Sequence, residues 1–192
     1  MAEAGASKGS ARRSALFWAA AALILVLDLW SKHAVFEYLG VDPAQLNPAT
    51  VVPTRKPIPG IGDLGGRVKL VALLNPGMMW GAFREHPQLL KVVRPLAVLV
   101  IFLLLSSLPA NQKSARIALG AILGGALGNI WDSFWYAGVR DFLEVDLNVP
   151  VFDPFPAFNV ADSAICVGVA VLALGMMRSA KQEVPENKPA AS

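Results

Sequence analysis

Apolar residues fall into four long blocks separated by polar, glycine-rich or proline-rich stretches, from about Ser14 to Trp30, Leu89 to Leu108, Ala115 to Tyr136 and Phe158 to Met177. A hydrocarbon core about 30 Å thick is crossed by about 20 helical residues, because a backbone without water must satisfy its own N–H and C=O groups. The pattern therefore predicts four transmembrane helices. The first block is short and follows a basic segment, as a cleavable export signal would. Asp28, Ser31 and Lys32 follow it with no small-residue cleavage pattern, which argues for a retained span.

The connections carry their own pattern. Leu39 to Val68 holds Pro43, Pro48, Pro53, Pro57, Pro59, Gly60, Gly62, Gly65 and Gly66, a composition that cannot span and predicts turns and short strands outside the membrane. A second outer segment, Gly138 to Pro156, contains the mixed run Phe142 to Phe152, suited to the bilayer interface. Residues 1–13 read as a tail, and residues 181–192 as a small, polar, disordered tail.

Composition narrows the class. Of 192 residues, 55% are hydrophobic and 16% charged, and the mean hydropathy is +0.50, so a single integral-membrane domain accounts for residues 1–192. No basic stripe with interleaved aromatics is present, which argues against nucleic-acid binding. Cys166 is the only cysteine, excluding an intrachain disulfide and a multi-cysteine metal site. Its place in the apolar run Ala164 to Ala173 reads as packing.

The Lys and Arg residues orient the spans. Lys8, Arg12, Arg13, Lys113, Arg116, Arg178, Lys181 and Lys188 cluster on one side, whereas those of the opposite side are spread along Lys32 to Arg94, plus Arg140. Density predicts both termini in the cytoplasm, with the outer segments and helix ends opposite.

Charge inside the blocks then becomes informative. An ionised carboxylate in a span costs about 2.5 to 3.5 kcal/mol on insertion scales, yet Asp28, Asp132, Asp141 and Asp162 lie in or beside the spans. The topology brings all four to one layer. Asp28 precedes Lys32 by one helical turn and can form an ion pair with it. Asp132 follows Gly120, Gly124 and Gly128 on a small-residue face where a neighbouring helix can approach and be bonded. Asp141 has Arg140 beside it as a possible neutralising partner. Asp162 heads an apolar helix and shares its face with Asn159. Two carboxylates that face each other cannot both ionise cheaply, so such a pair holds one proton between about pH 5 and 7. That is aspartyl peptidase chemistry, in which one carboxylate activates water and the other, protonated, polarises the scissile carbonyl. It requires no metal or other cofactor.

Five blocks between about Leu25 and Gly168 resemble the lipoprotein signal peptidase (type II signal peptidase) family. They are Asp28-Leu29-Trp30-Ser31-Lys32, Asn75 to Phe83 around Gly77, Gly124 to Asp132 with Asn129, Gly138-Val139-Arg140-Asp141-Phe142, and Phe158-Asn159-Val160-Ala161-Asp162. The resemblance implies an all-α membrane protein, four transmembrane helices with a small periplasmic β-cradle over residues 39–83 and an amphipathic outer element over Gly138 to Pro156. It implies Asp141 and Asp162 as the catalytic pair, supported by Asp28, Lys32, Asn75, Gly77, Asn129, Asp132, Arg140 and Asn159. It also implies diacylglyceryl prolipoproteins as substrates, cut on the N-terminal side of the lipidated cysteine, by a monomer in contact with membrane lipid in the bacterial inner membrane. One departure is clear: Ser133 follows Asp132 where the family usually has Arg, and Arg140 is a candidate substitute.

Three other classes make different demands. A transporter needs polar groups at several depths, a divalent-metal hydrolase would use Asp132, Asp141 and Asp162 as oxygen ligands, and an assembly protein would tolerate Asp141→Asn. His33 and His86 lie outside the aspartate blocks, which argues against zinc, and none of the four apolar blocks carries the Gly-x-Gly-Asp pattern of presenilin-like aspartyl peptidases, which occurs only as Gly60-Ile61-Gly62-Asp63 in the outer segment.

Overall fold

A computed structural model describes residues 2–47, 55–76, 87–109, 111–149 and 155–183. In chain order these form helix α1 (Ala2–Leu39), a 3₁₀ turn (Pro43–Gln45), strands β1 (Arg55–Lys56) and β2 (Val68–Asn75), helices α2 (Pro87–Ser107) and α3 (Lys113–Trp135), strand β3 (Val139–Val145) and helix α4 (Val160–Glu183).

Among the described residues, three helical stretches are long and apolar enough to cross a membrane: Ala15–Leu39, Lys113–Trp135 and Val160–Arg178. In the second predicted span, α2, the continuous apolar part is the shorter Val92–Ser107. Leu23, Val26, Leu99, Leu103, Val167 and Met176 are exposed on the helices, a surface that suits lipid and marks a membrane protein. Three boundaries differ from expectation, the first being that the opening span continues past Trp30 to Leu39. The segment 1–13 is helical from Ala2 and continuous with the first span, and α4 runs to Glu183, so Lys181–Glu183 are helix rather than disordered tail. Residues 184–192 lie outside the described residues.

Helix α3 is the centre of the bundle, packed against α1, α2 and α4. Its glycines make this possible. A Cβ on Gly120 or Gly124 would collide with the backbone carbonyls of Phe17 or Ala21 on α1, and one on Gly125 would come within 2.7 Å of the Ala161 carbonyl on α4. Without side chains at these points the helix axes approach closely enough for packing and polar contacts to replace the hydrophobic drive that lipid does not supply. The neighbour that meets the small-residue face is thus α1, around a buried cluster of Phe17, Ala21, Ile101, Leu119 and Leu123.

The end of α1 sets the sheet in place. Gly40 adopts φ +73°, and the Val41 and Gly40 N–H groups donate to the Phe36 and Glu37 carbonyls, a Schellman ending that only a residue tolerant of left-handed backbone closes cheaply. Phe36 and Leu39 then pack beneath Leu70, Ala72 and Phe142 of an antiparallel sheet of order β1-β2-β3. The expected turns and short strands of 39–68 are found in its described parts. The outer segment expected to be amphipathic is different, because Val139–Val145 is the third strand of that same sheet, paired along the length of β2. Phe142 faces the buried cluster, a core it enters instead of an interface.

Candidate active site

Four backbone devices bring the predicted polar residues together. First, the register of β2 and β3 slips between Leu70 and Leu73, so that Asn75 lies opposite Val139 and Leu73 opposite Asp141. Asn75 and Asp141 become diagonal cross-strand neighbours, within reach of each other, and the Asn75 amide donates to Asp141 Oδ2 at 2.9 Å. Second, successive strand residues point to opposite sides. Arg140 and Asp141 therefore part company: Arg140 turns to Asp132, with Nη2 to Oδ1 at 2.7 Å and Nε to Oδ1 at 3.0 Å, rather than neutralising its neighbour.

Third, the Phe158 backbone pairs with Leu143 in both directions, which delivers Asn159 beside β3 at the start of α4. The Asn159 amide donates to Asp141 Oδ1 at 2.8 Å. Fourth, the first turn of α4 closes reciprocally on its own side chains. Asn159 Oδ1 accepts from the Asp162 N–H at 2.9 Å, and Asp162 Oδ2 accepts from the Asn159 N–H at 3.2 Å, the arrangement of a capping box. Asn129 of α3 completes the set by donating to Asp162 Oδ1 at 2.9 Å.

Beneath these lies a charged layer sealed from solvent. Asp28, Lys32 and Asp132 are each 0% exposed. Lys32 Nζ lies 2.7 Å from Asp28 Oδ2, 3.0 Å from Asp132 Oδ2 and 3.0 Å from Asn129 Oδ1, one partner for each of its three donors. Asp28 Oδ1 accepts the Ala161 N–H at 2.9 Å, an orphan donor of the α4 N-terminus. Asp28 with Lys32 and Asp132 with Arg140 make two opposite-charge pairs, as burial of charge requires.

The four aspartates thus divide by chemistry. Ion pairs hold Asp28 and Asp132, while neutral amide and backbone N–H groups hold Asp141 and Asp162. Burial first, and then the nearby Asp162 charge, push the Asp141 carboxyl up to about 8 against the opposing pull of the Asn75 amide, Lys32 and the Asn159 amide. Burial that is not matched by a cation on the same group has this effect on any carboxyl.

Of the residues singled out from sequence, Asp28, Lys32, Asn75, Asn129, Asp132, Arg140, Asp141, Asn159 and Asp162 gather in this one site. Gly77, with the rest of its block through Phe83, lies outside the described residues. Among the described residues no three His, Cys, Asp or Glu side chains take up metal-holding positions. The site also includes one residue that the sequence reading passed over. Arg94 of α2 donates from Nη1 to the Ser133 hydroxyl, and its charge is felt by Asp162, Asp141 and Asp132. The available signal was a cation well inside an apolar block, where an Arg needs a reason.

Comparison with known proteins shows the family to which the chain belongs. The family model described as signal peptidase (SPase) II matches residues 20–178. Proteins named lipoprotein signal peptidase from Geobacillus kaustophilus and Geobacillus thermodenitrificans are 31% and 30% identical, covering 88% and 89% of this chain and 97% and 95% of theirs. One from Pseudomonas putida is 46% identical over 89 residues, which cover 46% of this chain and 50% of that protein. Two solved structures, each described as a bacterial membrane enzyme determined by the in meso method, at 2.3 and 1.9 Å resolution, share the fold with TM-scores of 0.65 and 0.58. Both are 18% identical and cover 88% and 82% of this chain, and 91% and 89% of their own. With a family match across most of its length and full-length relatives at about a third identity, the chain belongs to the signal peptidase II family of membrane peptidases.

Proposed function

We propose that this chain is an aspartyl endopeptidase that removes signal peptides from diacylglyceryl-modified prolipoproteins, with Asp141 and Asp162 as its catalytic pair. The observation that carries the reading is the division among the four buried aspartates. Two are tied to cations and are structural, whereas Asp141 and Asp162 are held by Asn75, Asn129 and Asn159, which orient a carboxyl group without fixing its charge.

In the resting site one proton is shared by the pair, and the more buried Asp141 carries it. Asp162 sits in the first turn of α4, where helix N–H groups favour negative charge, and serves as the base. It takes a proton from a water molecule while the water oxygen adds to the scissile carbonyl carbon, and the carbonyl oxygen takes the Asp141 proton. The tetrahedral diol then collapses. Its C–N bond breaks as the proton on Asp162 passes to the leaving amine of the lipidated cysteine, and a diol hydroxyl returns its proton to Asp141. The balance is one peptide bond and one water in, one carboxyl group and one amine out.

The fold suits a substrate that stays in lipid. Helix α2 has 21 residues, about 31 Å at 1.5 Å per residue, a length that supports reading it as the fourth span of a bundle with both termini cytoplasmic and the site at the periplasmic side of the inner membrane. The sheet covers the site from outside the spans. A lipidated peptide reaches the pair by lateral diffusion, its acyl chains remaining in the bilayer. A single copy of the chain holds all the residues invoked, so a monomer suffices. The test is a mass spectrum of the products formed from a diacylglyceryl-modified prolipoprotein. A new N-terminus at the lipidated cysteine is expected, and cleavage at any other bond, or none, contradicts the reading.

A further inference from the structure

Between α2 and α3, beside the site, lies a small pocket of about 120 Å³ lined by Leu90, Arg94, Pro95, Ile130, Ser133 and Phe134. Its walls are apolar except at one corner, where the Arg94 guanidinium meets the Ser133 hydroxyl, itself bonded to the Asn129 carbonyl one turn back in α3. Arg94 lies two turns into α2 and Ser133 two residues before the end of α3, so the corner sits near the same end of the bundle as Asp132 and the two amide-held carboxylates. A guanidinium there is costly in an apolar helix, and the charge of Arg94 acts on Asp162, Asp141 and Asp132, so the corner is continuous with the site.

The geometry points to this pocket as the subsite for the glyceryl ester of the lipidated substrate, with Arg94 bonding an ester carbonyl oxygen and the acyl chains running along Leu90, Ile130 and Phe134. A peptide segment would need a donor or acceptor for each of its backbone groups, and the pocket offers two polar side chains. A diacylglyceryl group offers carbonyl oxygens at the head of long apolar chains, which matches one cationic corner and otherwise apolar walls. Ser133 is then the seat that aims Arg94. The assignment rests on the proposed substrate.

It is tested with two prolipoprotein peptides in lipid nanodiscs, one carrying a diacylglyceryl thioether on its cysteine and one carrying the matching dialkyl ether, which lacks the carbonyls. A charge-assisted hydrogen bond predicts that the parent prefers the ester substrate by about tenfold in kcat/KM, most of it in KM. In Arg94→Gln the preference falls toward one. Ser133→Ala, which keeps the cation but removes its seat, lowers the preference part of the way and serves if Arg94→Gln does not fold. A parent that cleaves both substrates equally, an ester preference that survives in the variants, or an equal loss on both substrates overturns the assignment, the last because it marks a contact to peptide or to bilayer phospholipid. A parent that cleaves neither substrate overturns it together with the proposed function, and the product spectrum of the natural substrate distinguishes that case.

Discussion

Asn159 and Asp162 cap helix α4 for each other, side chain to backbone in both directions, while the Asn159 amide reaches across to Asp141. One residue therefore begins the helix that carries one carboxyl group and orients the other. The two roles separate by substitution. Asn159→Ser keeps a good helix cap and Asn159→Ala does not, a difference of about 1 kcal/mol in stability. Both lose the bond to Asp141. Thermal unfolding in detergent is expected to rank parent, Ser and Ala in that order, with cleavage reduced by roughly 100-fold in both variants, the scale for losing one orienting donor at a catalytic site.

Asn75 provides the pH test. Because burial raises Asp141 to about 8, activity that needs its proton holds below that value and falls as pH rises through it. The Asn75 amide favours the ionised form and so lowers the value. Asn75→Leu is therefore expected to move the alkaline limb of kcat/KM to higher pH; a move to lower pH contradicts this electrostatic reading. The same elevation has a stability consequence of fixed sign. Relative to an ordinary carboxyl near 4, the protonated Asp141 contributes stability that is complete below about pH 4 and is lost as pH rises through about 8.

Lys32 joins two buried carboxylates from two helices. Lys32→Met leaves Asp28 as an uncompensated buried charge, a loss of about 3 to 5 kcal/mol by comparison with other buried pairs. Adding Asp28→Asn restores neutrality, since Asp132 keeps Arg140. The double variant is expected to unfold at a higher temperature than Lys32→Met alone. If the two unfold together, the layer is not held by charge balance.

Much of this was legible in the sequence, and the limits have physical causes. Apolar blocks of helical length mark spans because the bilayer imposes their length, and α3 and the apolar stretch of α4 lie within a few residues of expectation, whereas α1 continues past Trp30 to Leu39 because the helix goes on through the polar residues after its apolar block. The Asp28–Lys32 pair is an i,i+4 relationship on one helix, written into the spacing. The glycine steps of α3 announce a close neighbour for the same local reason. Arg140 is different, because whether it meets Asp141 or Asp132 depends on its being in a strand, and β3 exists only by pairing with β2 across 64 to 77 residues of chain. Read without its partner strand, the run Val139–Val145 looked like part of an interfacial element. Arg94 was counted as one more outer cation; its approach to Ser133 depends on how α2 packs against α3, which no local pattern records. The same contact gives Ser133, the departure from the family pattern, a guanidinium from another helix.

The central claim is that two amide-held carboxyl groups share the proton that cleaves the peptide bond. It is tested most directly by single-turnover cleavage of a diacylglyceryl-modified prolipoprotein by purified parent, Asp141→Asn and Asp162→Asn, each checked for unchanged thermal unfolding. The account predicts product from the parent and a loss of at least about 1,000-fold in each variant, since neither acid nor base can be spared. Cleavage at near-parental rate in either folded variant would contradict it.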